Sequence, residues 1–121
     1  MSPNDEVLLR VFIIVFPIVS GSAIVWTAHA CASGRIKRNW AIGIRLPSTV
    51  KSEDAWLACH RRAQRALTGG GLAMIATGLA GILPLALPAA ITIVGAGALT
   101  MLSFVLYAAV VGVRAARALN E

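Results

Sequence analysis

Acidic residues are scarce in this chain. Only five of its 121 residues are Asp or Glu, and none lies inside a long hydrophobic run. Asp5 and Glu6 stand before the first run, Glu53 and Asp54 between the first and second, and Glu121 at the end. A drug–proton exchanger typically needs a carboxylate within a membrane span, so that chemistry lacks its carrier here unless a His serves. An enzyme needs a nucleophile with its base, or paired carboxylates converging on a pocket. Glu53 and Asp54 are adjacent and would point different ways on a helix, so no catalytic role is expected. Cysteine is equally sparse. Cys31 and Cys59 make no disulfide framework and are expected to be free thiols. Together with His29 and His60 they offer metal-ligating types, but their spacings do not match paired structural zinc sites. Neither a metal nor another cofactor is expected.

Apolar and basic residues are plentiful instead. The mean hydropathy is +0.79 and 58% of residues are hydrophobic, too many for a soluble domain of this length to cover with polar surface. They gather into long runs, the pattern of bilayer-spanning helices. The net charge of +6 brings nucleic acid to mind. In a chain with spans, however, a basic loop sets topology and meets anionic lipid headgroups, and no nucleic-acid reader motif is present. The reading is a single all-α membrane domain over 1–121, a bundle of three transmembrane helices.

The three spans are expected at about 7–32, 67–83 and 89–113. The first carries one charge, Arg10, four residues after Glu6 and on its helix face, so a pair is expected. Pro17 should bend this helix in mid-span. Ala28-His29-Ala30 before Cys31 superficially resembles a cleavage site, but the apolar run is too long for a signal core and a retained span is expected. The Pro84–Pro88 link is short enough to force an antiparallel hairpin between the second and third spans. Small residues recur every fourth position at Gly69, Ala73, Thr77 and Gly81, at Thr92, Ala96 and Thr100, and at Ala108, Gly112 and Ala116. These stripes should serve close helix packing, or self-association into a homo-oligomer. Ten of eleven basic residues fall in the central loop and the C-terminal tail, which places both in the cytoplasm and the N-terminus outside.

The central stretch holds eight of those basic residues: Arg35, Lys37, Arg38, Arg45, Lys51, Arg61, Arg62 and Arg65. Its first part should not be helical, because Gly34, Gly43 and Pro47 break the pattern. Trp40, Ile42 and Ile44 suit a membrane interface. Ser52 is then a good N-cap, and Glu53 and Asp54 suit the positive end of a helix dipole. Trp56, Cys59, His60 and Ala63 form one stripe on this helix, which can lie as a short amphipathic segment on the membrane surface and run into the second span. His60 can in principle carry a proton or a ligand. The simpler reading packs it behind Trp56, hydrogen-bonded to the preceding loop.

At this stretch the chain resembles the SdpI family of small bacterial membrane proteins. The resemblance rests on Asn39, Ile42-Gly43-Ile44-Arg45, Pro47, Thr49, Ser52-Glu53-Asp54, Trp56 and His60-Arg61, in order and with comparable spacing, followed by two spans. The chain departs at Leu46, where Thr is usual, at Ser48, where Trp is common, and at Cys59. The resemblance implies a non-enzymatic protein of the bacterial inner membrane, giving immunity to a toxic peptide and/or signalling by binding a cytoplasmic repressor. It also implies that Asn39, Gly43, Arg45, Pro47, Thr49, Glu53, Trp56, His60 and Arg61 form a signature platform at the cytoplasmic face. Arg45 and Arg61 would then meet an anionic partner, lipid headgroups or an acidic protein surface. The competing expectation is an accessory subunit of a larger membrane complex, docked through the Gly- and Ala-rich faces.

Overall fold

The computed structural model describes residues 1–120 and is built from three helices, α1 (Pro3–Ala32), α2 (Glu53–Ala80) and α3 (Leu87–Asn120). Helix α1 starts in a capping box. The Ser2 hydroxyl accepts from the Asp5 amide at 3.2 Å, the Asp5 carboxylate accepts from the Ser2 amide at 3.3 Å, and Pro3 costs no hydrogen bond at the first helical position. Helix α2 starts where Ser52 accepts from the Ala55 amide at 3.0 Å. Pro17 sits buried inside an unbroken α1. The expected pair forms between Arg10 and Glu6 at 3.2 Å, and Arg10 also donates to the Leu85 carbonyl at 2.9 Å. One half-buried cation thus ties α1 to the link between α2 and α3.

Helix α2 lies between its neighbours and packs along both, while α1 and α3 barely touch. Contacts climb in one helix as they descend in the next, which makes the three antiparallel. Gly21 and Gly71 face each other so closely that a Cβ on either would strike the other's backbone carbonyl. A Cβ on Gly78 would lie 2.7 Å from the Ile14 carbonyl oxygen. On the other side of α2, Thr77 fills the space that a side chain on Gly97 would need. Cys59 does the same at Gly112. Absent side chains let backbones approach, so dispersion contacts hold helices whose surroundings are as apolar as their surfaces.

The expected small-residue stripes are therefore redistributed. Gly69 and Thr77 turn towards α3 and Gly81 towards α1, so the fourfold spacing on α2 does not make one face. The closest approaches to α1 fall instead on Gly71 and Gly78. On α3, Ala108, Gly112 and Ala116 are buried as a packing stripe, whereas Thr92, Ala96 and Thr100 face outward. The amphipathic segment runs on without a break into the rest of α2, as expected. It forms the first turns of α2, and protein covers its Trp56, Cys59, His60 and Ala63 stripe. The loop folds back over Trp56 and His60, while Cys59 and Ala63 pack against α3 and α1.

Helices α1 and α3 are each long and apolar enough to cross a membrane. Their outward sides carry exposed Val11, Phe12, Val15, Phe16 and Val19 on α1 and Leu99, Leu102, Leu106 and Val110 on α3. Helix α2 does not pass the same test. Its Arg61, Arg62 and Arg65 and its run of glycines lower its hydropathy, and both its flanks are already covered by its neighbours.

Candidate functional site

Residues 33–52 form no helix or strand and fold over the start of α2. Asn39 organises the first half. Its Oδ1 accepts from the amides of Ala41 at 2.8 Å and Ile42 at 2.7 Å, and its Nδ2 donates to the Lys37 carbonyl at 2.8 Å and the Ile42 carbonyl at 3.2 Å. A short side chain that mimics backbone in this way closes a turn without secondary structure. Pro47 opens a second turn, in which the Thr49 amide donates to the Leu46 carbonyl at 2.9 Å. The fully buried Thr49 hydroxyl accepts from the Leu46 amide at 2.9 Å and donates to the Ile44 carbonyl at 2.7 Å.

Trp56 and His60 receive this loop. Both are 1% exposed, and their rings stand 4.2 Å apart, tilted by 39°. The Trp56 indole donates to the Ile36 carbonyl at 3.0 Å, so its polar edge is satisfied in a buried setting. His60 Nε2 lies 2.9 Å from the Ile44 amide, and Nδ1 lies 2.8 Å from the Trp56 carbonyl. An amide can only donate and a carbonyl can only accept. The ring is therefore neutral with its proton on Nδ1. Burial pushes its pKa below the usual histidine value, although the Trp56 carbonyl pulls the other way.

Gly43 is the tight point between loop and helix. It has a φ of +105°, and a Cβ there would lie 2.7 Å from the Trp56 ring and 2.8 Å from His60 Nε2. Any side chain meets both a strained backbone and a filled space. On the α3 side of the same helix, burial and the neighbouring Cys31 push the Cys59 thiol up to about 11. Cys31 and Cys59 are both free and buried. Among the described residues, no three His, Cys, Asp or Glu gather as metal ligands would.

The charged signature residues lie on the outside. Arg45 is exposed, with its Nε donating to the Asn39 carbonyl at 3.0 Å. Arg61 reaches the Ala32 carbonyl at 3.4 Å, a favourable place for a cation at the negative end of α1. Glu53 pairs with Arg38 at 3.2 Å. Arg38 also donates to the carbonyls of Val50 and Lys51, so it stitches both ends of the loop together. The sequence offered Arg38 only as one basic residue among eight and Ile44 only as an interfacial apolar residue of the motif, and did not foresee that the Ile44 amide and carbonyl serve His60 and Thr49. Opposite charges at 38 and 53, at either end of a helix-free stretch, were the available signal for Arg38; a backbone role such as that of Ile44 leaves none.

The inner side of the knot faces a groove. Where α1 and α3 diverge over α2, a space of about 440 Å³ opens, with Ile24 and Thr27 on one wall, Met101 and Val105 on the other, and Gly43, Ile44 and His60 at one end. The same loop therefore presents cations outward and apolar surface inward.

Two long apolar helices with outward-facing apolar sides and a basic, non-helical cap suit a membrane protein. The sequence profile of the SdpI/YfhL protein family matches residues 35–114, which takes in the cap, α2 and most of α3, and the chain belongs to that family. No curated protein and no solved structure matches it.

Proposed function

We propose that this chain is a non-enzymatic inner-membrane protein of the SdpI type, giving a bacterial cell immunity to a toxic peptide and/or signalling by holding a cytoplasmic regulator at the membrane. One observation carries the reading. The signature residues build a scaffold, with His60, Thr49, Trp56 and Asn39 spent on internal hydrogen bonds, and what they hold out is a cationic surface around Arg45. The basic end of the bundle, with the C-terminal Arg114 and Arg117, faces the cytoplasm and the N-terminus faces outward. A membrane-active peptide, being apolar, has a matching recess in the groove between α1 and α3, whose end wall is the inner side of the same loop.

The test is protection. Expression in a peptide-sensitive strain is expected to raise tolerance to membrane-active peptides. Arg45→Ala, at an exposed position, is expected to weaken regulator retention or protection without removing the protein from the membrane. Unchanged sensitivity on expression of the wild-type chain sinks immunity, and unchanged regulator binding by Arg45→Ala sinks the role of the platform. A second reading, an accessory subunit of a larger membrane complex, draws on the outward face of Thr92, Ala96 and Thr100, where Gly95 meets nothing. A stoichiometric large partner on purification in mild detergent favours it.

A further inference from the structure

A second, smaller groove lies outside the signature knot, between Leu46 of the loop and the last turns of α3. Its volume is about 270 Å³, and Ala109, Val110, Val113, Arg114 and Arg117 line its helical side. Along α3 these residues recur on one face, apolar first and basic one to two turns later. The distance from Ala109 to Arg117 is about 12 Å at 1.5 Å per residue. Leu46 and Val110 are left 44% and 49% exposed, an apolar wall that this chain only half covers. Neither Arg114 nor Arg117 forms an ion pair among the described residues. They are three apart on a helix, so their side chains are neighbours and two guanidinium groups can grip a single phosphate.

We propose that this groove is a discrete site for one anionic phospholipid. Its phosphate sits between Arg114 and Arg117, and the upper part of an acyl chain lies along Val110 and Val113 against Leu46. The two ends of the groove ask for different chemistry, and this ligand carries both. A free phosphate would use only the arginine end, and an acidic peptide in water would leave the apolar wall uncovered. The site rests on the membrane placement of α3 and owes nothing to a toxin or regulator. Leu46 also makes it a contact between the signature loop and α3, so an occupied groove braces the platform from outside.

The experiment uses the full chain, delipidated in mild detergent and titrated with dioleoyl phosphatidylglycerol or dioleoyl phosphatidylcholine, with bound lipid counted by native mass spectrometry. One saturable phosphatidylglycerol adduct is expected, well above the phosphatidylcholine level. The Arg114→Gln, Arg117→Gln double variant is expected to lower it by roughly tenfold or more, since each lost charge-assisted bond is worth a large part of that factor. Val110→Trp fills the apolar part while keeping both charges, and is also expected to lower it. Melting temperatures of the variants close to that of the wild type assign these losses to the groove. Equal binding of the two lipids overturns the proposal, as does a double variant that binds like the wild type. Displacement of the lipid by millimolar glycerol phosphate, with Val110→Trp unaffected, overturns it in favour of a free-phosphate site. A dimer in place of the lipid adduct overturns it in favour of a second copy. Protection assays are read separately, so loss of immunity with the adduct intact removes the functional reading and leaves the lipid site standing.

Discussion

The imidazole of His60 is held between the Ile44 amide and the Trp56 carbonyl, and a second proton has no acceptor there. Protonating Nε2 would set two donors against each other in a buried space, so the folded-state pKa lies below the ordinary 6.5 that the unfolded chain keeps. Between those values the unfolded chain binds more protons. Stability is therefore full above 6.5, falls as pH drops through it, and levels off below the folded-state value. We expect the melting temperature of the detergent-solubilised protein to fall between pH 7.5 and pH 5.5. His60→Ala leaves the Ile44 amide without an acceptor, costing about 1–3 kcal/mol at pH 7.5, and it should flatten the decline. A wild-type melting temperature constant over that range would show that the ring is free to accept a proton. The packing of His60 behind Trp56 was legible in the sequence, because the two are four apart on a well-capped helix. The role of Gly43 was not. Its close approach joins positions 13 and 17 residues away, and no local pattern encodes a contact made by the return of a loop.

Elements were easier to read in number than in facing. The long apolar runs and the Ser52 cap gave three helices and a non-helical stretch between the first two, as found. The face of α2 could not be read, because Gly69, Gly70 and Gly71 are consecutive and a run of small residues has no periodicity. Bulk on the neighbours decides it: Phe104 covers Gly69 and Gly70, and Gly21 with Val25 covers Gly71. The helix pairing then follows from steric exclusion and predicts a contrast. Gly71→Val places atoms within 2.7 Å of Val25 and against the Gly21 carbonyl, so α1 must move away. Overpacking of this kind costs about 1–3 kcal/mol, and a backbone contact offers little relief. Gly95 on α3 meets nothing within 4 Å, so Gly95→Ala is expected to be neutral, or to stabilise by up to about 1 kcal/mol through helix propensity. Thermal unfolding of both variants in one detergent checks it, and equal shifts would mean that the α1–α2 contact is not a tight seam.

At the scale of the whole molecule, the proposed topology has three crossings of the bilayer. Hydropathy picks out α1 and α3 and leaves α2 aside. Packing argues for all three. Gly21 is level with Gly71 and Ile14 with Gly78, while Thr77 is level with Gly97 and Cys59 with Gly112. The part of α2 from Gly71 to Gly78 lies level with the middle of α1, and its Thr77 with Gly97 of α3, so it shares whatever depth they occupy. A helix flanked by two others needs less hydropathy, since its neighbours cover its flanks and its glycines admit them. The basic residues agree. All ten outside α1 lie at the end that holds the loop and the last turns of α3, and Arg10 alone lies at the other. On the topology proposed above, the loop and C-terminus are expected in the cytoplasm, and the N-terminus and the link around Leu85 outside. Alkaline phosphatase fused after Ala86 is expected to be active, and the same enzyme fused at the C-terminus inactive. A fluorescent protein that matures only in the cytoplasm should give the reverse pattern. Inactive phosphatase at Ala86 would mean that α2 fails to cross, and α1 and α3 would then have to be placed in the membrane without the helix that joins them.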